Sequence, residues 1–316
     1  MKTKTHDISG RRLRIQSTST GERVQLTDRD FLWLQALHDH GALSSRSLHA
    51  LTEDTCKSLK ATQRRLMILA NEENTPFGGK LLERPFQQNA TYNARANFLM
   101  YDLTPASKKA LQERGTWSDN HPSSRNPWAH SAMTSAITSA IAIGCKKHGF
   151  TYMPQHELLD RAGTELRATV PYKWNGEPKT GVLIPDALFA INYGGKYRAF
   201  VVEADRGTEP GEPSSDQRKS FKKNILQYEN FISKGLYKKQ YGFEKVGLMV
   251  LTVTTSPTRT KRFKEIIREV QGDTTYHLVQ TAEEFSLWFR PPDVLHRLYE
   301  DTWERVGFEP FNIMGI

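Results

Sequence analysis

The chain has 316 residues, of which 37% are hydrophobic and 25% charged, so it is long enough for two globular domains of ordinary composition. The formal net charge of +9 favours a polyanionic partner, although a charged surface that serves solubility would look the same. The sequence has no run of about 18 apolar residues and no apolar signal core at its start. We therefore expect a cytoplasmic protein that has no membrane partner.

Capping residues mark the first elements of the chain. Residues 1–25 are polar and basic, which indicates a loose arm, although an arm that lies along phosphates is the alternative. Thr27 is placed to cap a first helix, with Asp30 at its third position, and the segment up to Gly41 ends it. Ser44 is expected at the start of a short second helix.

A third helix is predicted from about Glu53 to Ala70, with Thr52 as its cap. Its polar face carries residues that we expect to contact double-stranded DNA, namely Lys57, Lys60, Gln63, Arg64 and Arg65. Gln63 and Arg64 are expected to reach base edges, and the other three cations are expected to meet phosphates.

Two β-like segments at residues 80–86 and 98–103 follow, and Thr104 then caps a fourth helix. Three helices, a hairpin and a helix predict a winged helix-turn-helix domain over residues 26–112, with the third helix in the recognition position. The alternative is a winged helix that contacts another protein. A linker over residues 113–127 and a second domain over residues 128–316 complete the predicted organisation.

The second domain opens with a helix that runs to about His148. Two β-rich runs, residues 181–191 and 196–206, are joined by a glycine turn and predict a hairpin. A helix over about 215–234 and a buried strand over 246–253, parallel to its neighbour, follow. A basic helix over 259–270, a strand over 276–280 and a helix capped by Thr281 come next. The order helix, strand, strand, helix, strand indicates an α/β domain.

Three acids lie in the predicted hairpin. Glu203 and Asp205 share one strand face because side chains alternate, and Asp186 is expected to meet them across the hairpin. Carboxylates that converge beside an apolar sheet are costly unless a cation neutralises them, and oxygen ligands suit Mg²⁺ or Mn²⁺. We therefore predict a metal site of these three residues, with a surface hairpin that carries scattered acids as the alternative.

Pro185-Asp186, together with the stretch from Val202 to Glu209, resembles the PD-(D/E)XK nuclease-like superfamily. In detail, residues 26–255 resemble the replication-relaxation family of plasmid and integrative-element mobilisation proteins. The resemblance implies a winged helix followed by a restriction-endonuclease-like αββαβ domain. It also implies DNA nicking or relaxation with Mg²⁺ or Mn²⁺, and other relaxosome or mobilisation proteins as partners.

The resemblance assigns catalysis to Asp186, Glu203 and Asp205, the last as a further ligand or a base. The family pattern has a lysine two residues after Glu203, where this chain has Asp205, so a catalytically silent DNA-binding regulator is the alternative. A cation and an amide on the following helix, Lys222 and Gln227, are the predicted replacements, with a solvent-facing helix surface as the alternative. His130 matches a family histidine, although a surface histidine near a helix cap is equally consistent.

Overall fold

A computed structural model describes residues 18–88, 98–122, 127–207, 221–285 and 293–315. They form helices and sheets in two parts, an N-terminal part around a small sheet and a C-terminal part on a six-stranded sheet. The predicted α/β class is confirmed. In the described residues, no helix combines the length and the apolar character needed to span a membrane.

The N-terminal part has the element order of a winged helix-turn-helix. Its helices are α1 (Asp28–His40), α2 (Ser45–Leu51), α3 (Leu59–Asn71) and α4 (Pro105–Glu113). Its antiparallel sheet has the order β1-β3-β2, with β1 (Leu43–Ser44), β2 (Leu82–Glu83) and β3 (Met100–Leu103). Trp33, Leu34 and Leu66 are fully buried in the core that these elements share.

The cap of α1 is confirmed, but the start of α3 differs from the prediction. Thr27 and Asp30 form a reciprocal capping box at the start of α1. The predicted cap of the third helix, Thr52, instead accepts a hydrogen bond from Trp33 Nε1 at 2.8 Å and donates one to Leu48 at 2.9 Å. Ser58 caps α3, which therefore begins at Leu59 and not at Glu53.

The C-terminal part contains helices on both faces of a mixed sheet. Its helices are α5 (Trp128–His148), α6 (Gln155–Ala162), α7 (Phe221–Ser233), α8 (Leu236–Tyr241), α9 (Pro257–Gln271) and α10 (Arg297–Glu300). Its strands are β4 (Thr151–Met153), β5 (Ala168–Trp174), β6 (Glu177–Leu183), β7 (Ala187–Asn192), β8 (Tyr197–Ala204), β9 (Gly247–Thr254), β10 (Thr274–Thr281) and β11 (Glu304–Val306).

The large sheet has the order β11-β10-β9-β8-β7-β4, while β5 and β6 form a separate hairpin. Strands β8, β9 and β10 are parallel, and the other pairs are antiparallel. The core under α5 lies on one sheet face, and the core that includes α7 lies on the other. The buried strand predicted over 246–253 is therefore confirmed as β9, parallel to β8.

The predicted acidic hairpin is confirmed as β7–β8, in which Ala187 pairs with Val202. The first run is not one strand, because β6 ends at Leu183 and pairs with β5. Pro185 has no N–H to donate to a ladder, so the chain leaves one sheet there and enters the other. The segment that contains Asp186 thus connects two sheets. The predicted helix over 215–234 is described from Phe221, and residues 208–220 lie outside the described residues.

The predicted linker packs against the C-terminal part. Ser118 and Asn120 both donate hydrogen bonds to Asp160 Oδ1, at 3.0 and 2.7 Å. Helix α5 also contacts α1, where His40 Nδ1 lies 3.0 Å from Thr138 Oγ1. The two parts therefore share an interface that contains both these polar contacts and apolar ones, since Ala42 and Met100 belong to the core under α5.

Candidate active site and DNA-binding surface

Asp186 directly precedes β7, and two other elements hold its carboxylate. Oδ2 accepts a hydrogen bond of 2.8 Å from the backbone N–H of Ala204, at the end of β8. Oδ1 lies 2.9 Å from Nε2 of His130, in the first turn of α5. Because the Asp186 side chain is only 5% exposed, these contacts fix the direction in which it presents its oxygens.

Glu203 lies on β8 and is oriented by helix α7. It is 7% exposed and accepts a short hydrogen bond from the hydroxyl of Tyr228. Burial and the charge of Glu203 raise the pKa of Tyr228 well above its usual range. The phenol therefore stays protonated and donates to the carboxylate. Tyr228 also belongs to the apolar stripe of α7, so its role here is to position Glu203.

Asp205 has a different environment, beyond the end of β8. The guanidinium of Arg259, on α9, donates to both carboxylate oxygens, with Nη2 at 2.8 Å from Oδ1. Gly207 adds a backbone donor to Oδ1 at 3.2 Å. An acid whose two oxygens are held by one arginine is electrically balanced without a metal ion.

The three acids therefore do not converge as predicted, since each is held by a different helix. In the described residues, one group of three His, Cys, Asp or Glu side chains has its ligand atoms within 4.8 Å of one another. That group contains none of Asp186, Glu203 and Asp205. Asp186 and Glu203 remain predicted ligands, since they lie at the same end of neighbouring strands. Asp205 stays a predicted third ligand or base, and in this structure both of its carboxylate oxygens are held by Arg259 of α9.

Asp186 also lines an open cleft of about 530 Å³ between residues 119–122 and the C-terminal part of the protein. We call this space the cleft. Its walls come from residues 119–122 of the predicted linker and from helices α6 and α7. The segment before β5 and the end of β6, with the residues after it, complete the walls. The lining residues are Asp119, Asn120, His121, Pro122, Gln155, Leu159, Glu165, Leu166, Arg167, Val182, Ile184, Pro185, Asp186, Lys223, Asn224 and Gln227.

Of the two predicted residues on α7, only Gln227 lines the cleft. It is 1% exposed, and its Nε2 is buried without a hydrogen-bond partner among the described residues. Lys222 does not line the cleft and forms an ion pair of 2.6 Å with Glu269 of α9, and its role as a site residue stays a prediction. The adjacent Lys223 is the lysine that lines the cleft.

The polar face of α3 is only partly available to DNA. Lys60 and Arg64 are exposed on the helix, and Lys57 is exposed just before it. Arg65 instead donates to both oxygens of the fully buried Asp30, at 3.0 and 2.7 Å, and this pair raises the pKa of Arg65. The guanidinium of Arg65 thus ties α3 to the cap of α1, and its contact with a phosphate stays a prediction.

Gln63 is less exposed than Lys60 and Arg64. It is half-buried, and its Nε2 lies 3.5 Å from Ser45 Oγ, at the limit of a hydrogen bond. Its predicted contact with a base edge remains a prediction.

Two residues that shape the site were not predicted. Gln155 of α6 donates a hydrogen bond of 3.0 Å to the carbonyl of Asn120 and accepts one of 3.2 Å from the N–H of Leu188, on β7. Gln155 therefore connects the predicted linker to the sheet beside Asp186. Arg259 was seen only as part of a basic helix. No local pattern identifies either contact, because the partners lie 33 to 54 residues apart.

The geometry is thus that of a mixed sheet with two oriented carboxylates at one end of neighbouring strands, beside a cleft. No curated protein and no solved structure matches the chain. The replication-relaxation family model matches residues 34–246. That span covers the N-terminal helices, the acidic hairpin and α7, and therefore more than half of the 316 residues. The chain belongs to the replication-relaxation family, and its role lies in the processing of DNA in replication and mobile elements.

Proposed function

We propose that this protein nicks duplex DNA of a mobile element in a reaction that depends on Mg²⁺ or Mn²⁺. The observation that carries the proposal is the position of Asp186 and Glu203 at one end of β7 and β8, with Asp186 in the wall of the cleft. Both carboxylates are buried and oriented by protein donors. Ordered oxygen ligands of this kind are what a hard divalent cation requires.

The donor set fits such an ion at Asp186 and Glu203, and it does not fit at Asp205. Bound there, the ion would polarise a scissile phosphate and lower the pKa of a coordinated water. The surrounding side chains have separate roles. Tyr228 and the Ala204 N–H hold the two acids in place, and Nε2 of His130 lies 2.9 Å from Oδ1 of Asp186.

Residues of α7 are suited to hold the DNA strand in the cleft. Lys223 brings positive charge to the wall opposite Asp186, and the Gln227 amide has a donor for a phosphate or base oxygen. The winged helix would hold the adjacent duplex through Lys60 and Arg64. Strand selection and cleavage are then tasks of two different parts of one chain.

A second candidate is a catalytically silent DNA-binding regulator or relaxosome accessory protein. The Asp205–Arg259 pair favours it, because the position where the family pattern has a lysine is occupied by a neutralised acid. The two candidates predict the same DNA affinity and differ only in strand cleavage.

The test is Mg²⁺- or Mn²⁺-dependent nicking of supercoiled plasmid that carries the sequence flanking the gene for this chain. Asp186→Asn and Glu203→Gln keep a hydrogen-bond acceptor for Ala204 and Tyr228 and remove the negative charge. We expect nicking to fall by about 100-fold or more and duplex affinity to remain nearly unchanged.

Two neighbouring lysines supply the matched control. Lys223→Ala should reduce nicking because its ammonium lines the cleft, whereas Lys222→Ala should not, because Lys222 faces Glu269. If the parent protein leaves the plasmid supercoiled with both metal ions, the nickase proposal is wrong and the silent regulator is the better description.

A further inference from the structure

A second group of ligand-type side chains lies at the interface between the two parts. His38 and Asp39 belong to the last turn of α1, and His156 belongs to the first turn of α6. Each has one nitrogen or oxygen atom within 4.8 Å of the other two. His38 is 0% exposed and His156 is 7% exposed, so the group is enclosed and does not lie on a solvated surface.

The spacing of these atoms is close to that of a metal's ligands. Asp39 Oδ1 lies 2.8 Å from His156 Nε2 and 3.6 Å from His38 Nδ1. Ligand atoms about 2.0 to 2.2 Å from a tetrahedral zinc ion are roughly 3.3 Å apart. The two distances that involve Asp39 therefore differ from that spacing by less than an ångström.

The far nitrogen of His38 is held by the backbone. The N–H of Ser118 donates a hydrogen bond of 3.0 Å to His38 Nε2, and the carbonyl oxygen of Ser118 lies 2.9 Å from the same nitrogen. Metal binding through Nδ1 requires the tautomer in which Nε2 donates to this carbonyl, because the lone pair of Nδ1 then points into the group. A ring fixed through its second nitrogen in this way is the usual arrangement of a histidine that binds metal.

The neutral side-chain amide of Gln35 lies next to Asp39 and His38. Gln35 Nε2 donates to Asp39 Oδ1 at 2.7 Å and lies 3.4 Å from His38 Nδ1. The oxygen and nitrogen of an amide exchange places when the group turns by half a rotation. Such a turn would bring Gln35 Oε1 to the same point as a fourth ligand.

We propose that His38, Asp39 and His156 bind one transition-metal cation of the Zn²⁺ class, with Gln35 or water as the fourth ligand. Two imidazoles and one carboxylate suit Zn²⁺ and not Mg²⁺, so this site differs in ligand chemistry from the one at Asp186. The ion would join α1 of the winged helix to α6 and would brace the wall of the cleft at Asn120 and Gln155. The proposal does not depend on nuclease activity.

The test uses full-length protein freed of metal by a chelator and titrated with Zn²⁺ or Co²⁺. We expect one equivalent to bind, a higher melting temperature with Zn²⁺, and a cobalt absorption spectrum of four-coordinate type. X-ray absorption of the zinc form should show two imidazole ligands. That measurement uses the parent protein, so it decides the question even if a variant does not fold.

Variants identify the ligands. His156→Gln and Asp39→Asn should weaken binding by roughly 100-fold or more, and added Zn²⁺ should no longer raise their melting temperature. His121→Gln is the matched control, since its ring lies 5.1 Å from that of His38 but is not in the group. Absence of uptake by the parent, or equal uptake by His156→Gln, would overturn the proposal and leave a purely hydrogen-bonded joint.

Discussion

His277 is a buried histidine whose ionisation is coupled to folding. It lies on β10 beside Val250 of β9. Its ring contacts the aromatic rings of Tyr228 and Tyr276, which are both uncharged. Both of its ring nitrogens are buried without a hydrogen-bond partner in the described part of the chain. Burial lowers the pKa of His277 from 6.5 to about 3, so the folded protein holds this ring neutral.

This shift makes stability depend on pH in a defined direction. The unfolded chain takes up a proton at His277 below about pH 6.5, and the folded chain does so only near pH 3. The stabilisation is therefore complete above pH 6.5 and is lost as the pH falls towards 3. Between pH 7 and 5, this group alone should lower the free energy of unfolding by about 2 kcal/mol.

His277→Leu should remove that part of the pH dependence, because leucine has no proton to bind. Urea denaturation at pH 7 and pH 5 gives the two free energies of unfolding for parent and variant. His148→Leu, at an exposed position, is the control and should keep the slope of the parent. A His277→Leu protein that loses as much stability as the parent between these pH values would contradict the prediction.

The candidate site was predictable from sequence only where local geometry sets it. Alternation and the glycine turn place Asp186 and Glu203 at one end of a hairpin, because both features act over a few residues. The hold of Arg259 on Asp205 spans 54 residues, so only the packing of α9 on the sheet reveals it. The same limit explains why Lys222 and Lys223 could not be told apart, since one residue turns a helix by about 100°.

At the scale of elements, α3 carries one cation that is bound inside the N-terminal part and others that are exposed to solvent. Arg65 is bound to Asp30, which has no exposed surface, whereas Lys60 and Arg64 face solvent. Cations that meet phosphates release counterions and steepen the salt dependence of binding. The charge pattern of the helix alone could not separate these roles, because Asp30 lies 35 residues away.

The start of α3 shows a similar limit. Thr52 and Ser58 are both good caps by residue type. Which of the two caps α3 depends on a contact in the core, because Thr52 Oγ1 accepts a hydrogen bond from Trp33 Nε1. The caps predicted at Thr27 and Thr104 are confirmed, and each of these residues forms a capping box.

Lys60→Ala combined with Arg64→Ala should weaken duplex binding and flatten its salt dependence. Removal of two phosphate contacts lowers the slope of log K against log salt by about 2. Fluorescence anisotropy of a labelled duplex at several salt concentrations measures the slope. Lys238→Ala with Lys239→Ala, two exposed cations on α8, is the matched control.

Arg65→Ala separates stability from binding on the same helix. It should leave the salt slope near that of the parent and lower the free energy of unfolding by about 1 to 3 kcal/mol, because Asp30 then stays buried without its partner. An unchanged slope for the Lys60 and Arg64 variant would remove α3 from the DNA interface.

At the scale of the whole molecule, α5 joins the two parts. One side of this helix contributes to the core on the sheet, and the same core takes in Ala42 and Met100 from the N-terminal part. Gly144 allows close approach, because a Cβ there would lie 2.5 Å from the side chain of Tyr299. Since the apolar contacts are continuous, the N-terminal part and the sheet should open together.

Thr138 tests this coupling, since its hydroxyl lies 3.0 Å from Nδ1 of the buried His40 across the interface. Thr138→Val keeps the shape and leaves His40 without that partner, at a cost of about 1 to 3 kcal/mol. Hydrogen exchange read by mass spectrometry should then show faster exchange in α1 and α2 as well as in α5. The control is Thr164→Val, after α6, whose hydroxyl accepts a hydrogen bond of 3.0 Å from Gln240 of α8. If exchange rises in α5 alone, the two parts open independently, and the winged helix would move against the cleft without disturbing the sheet.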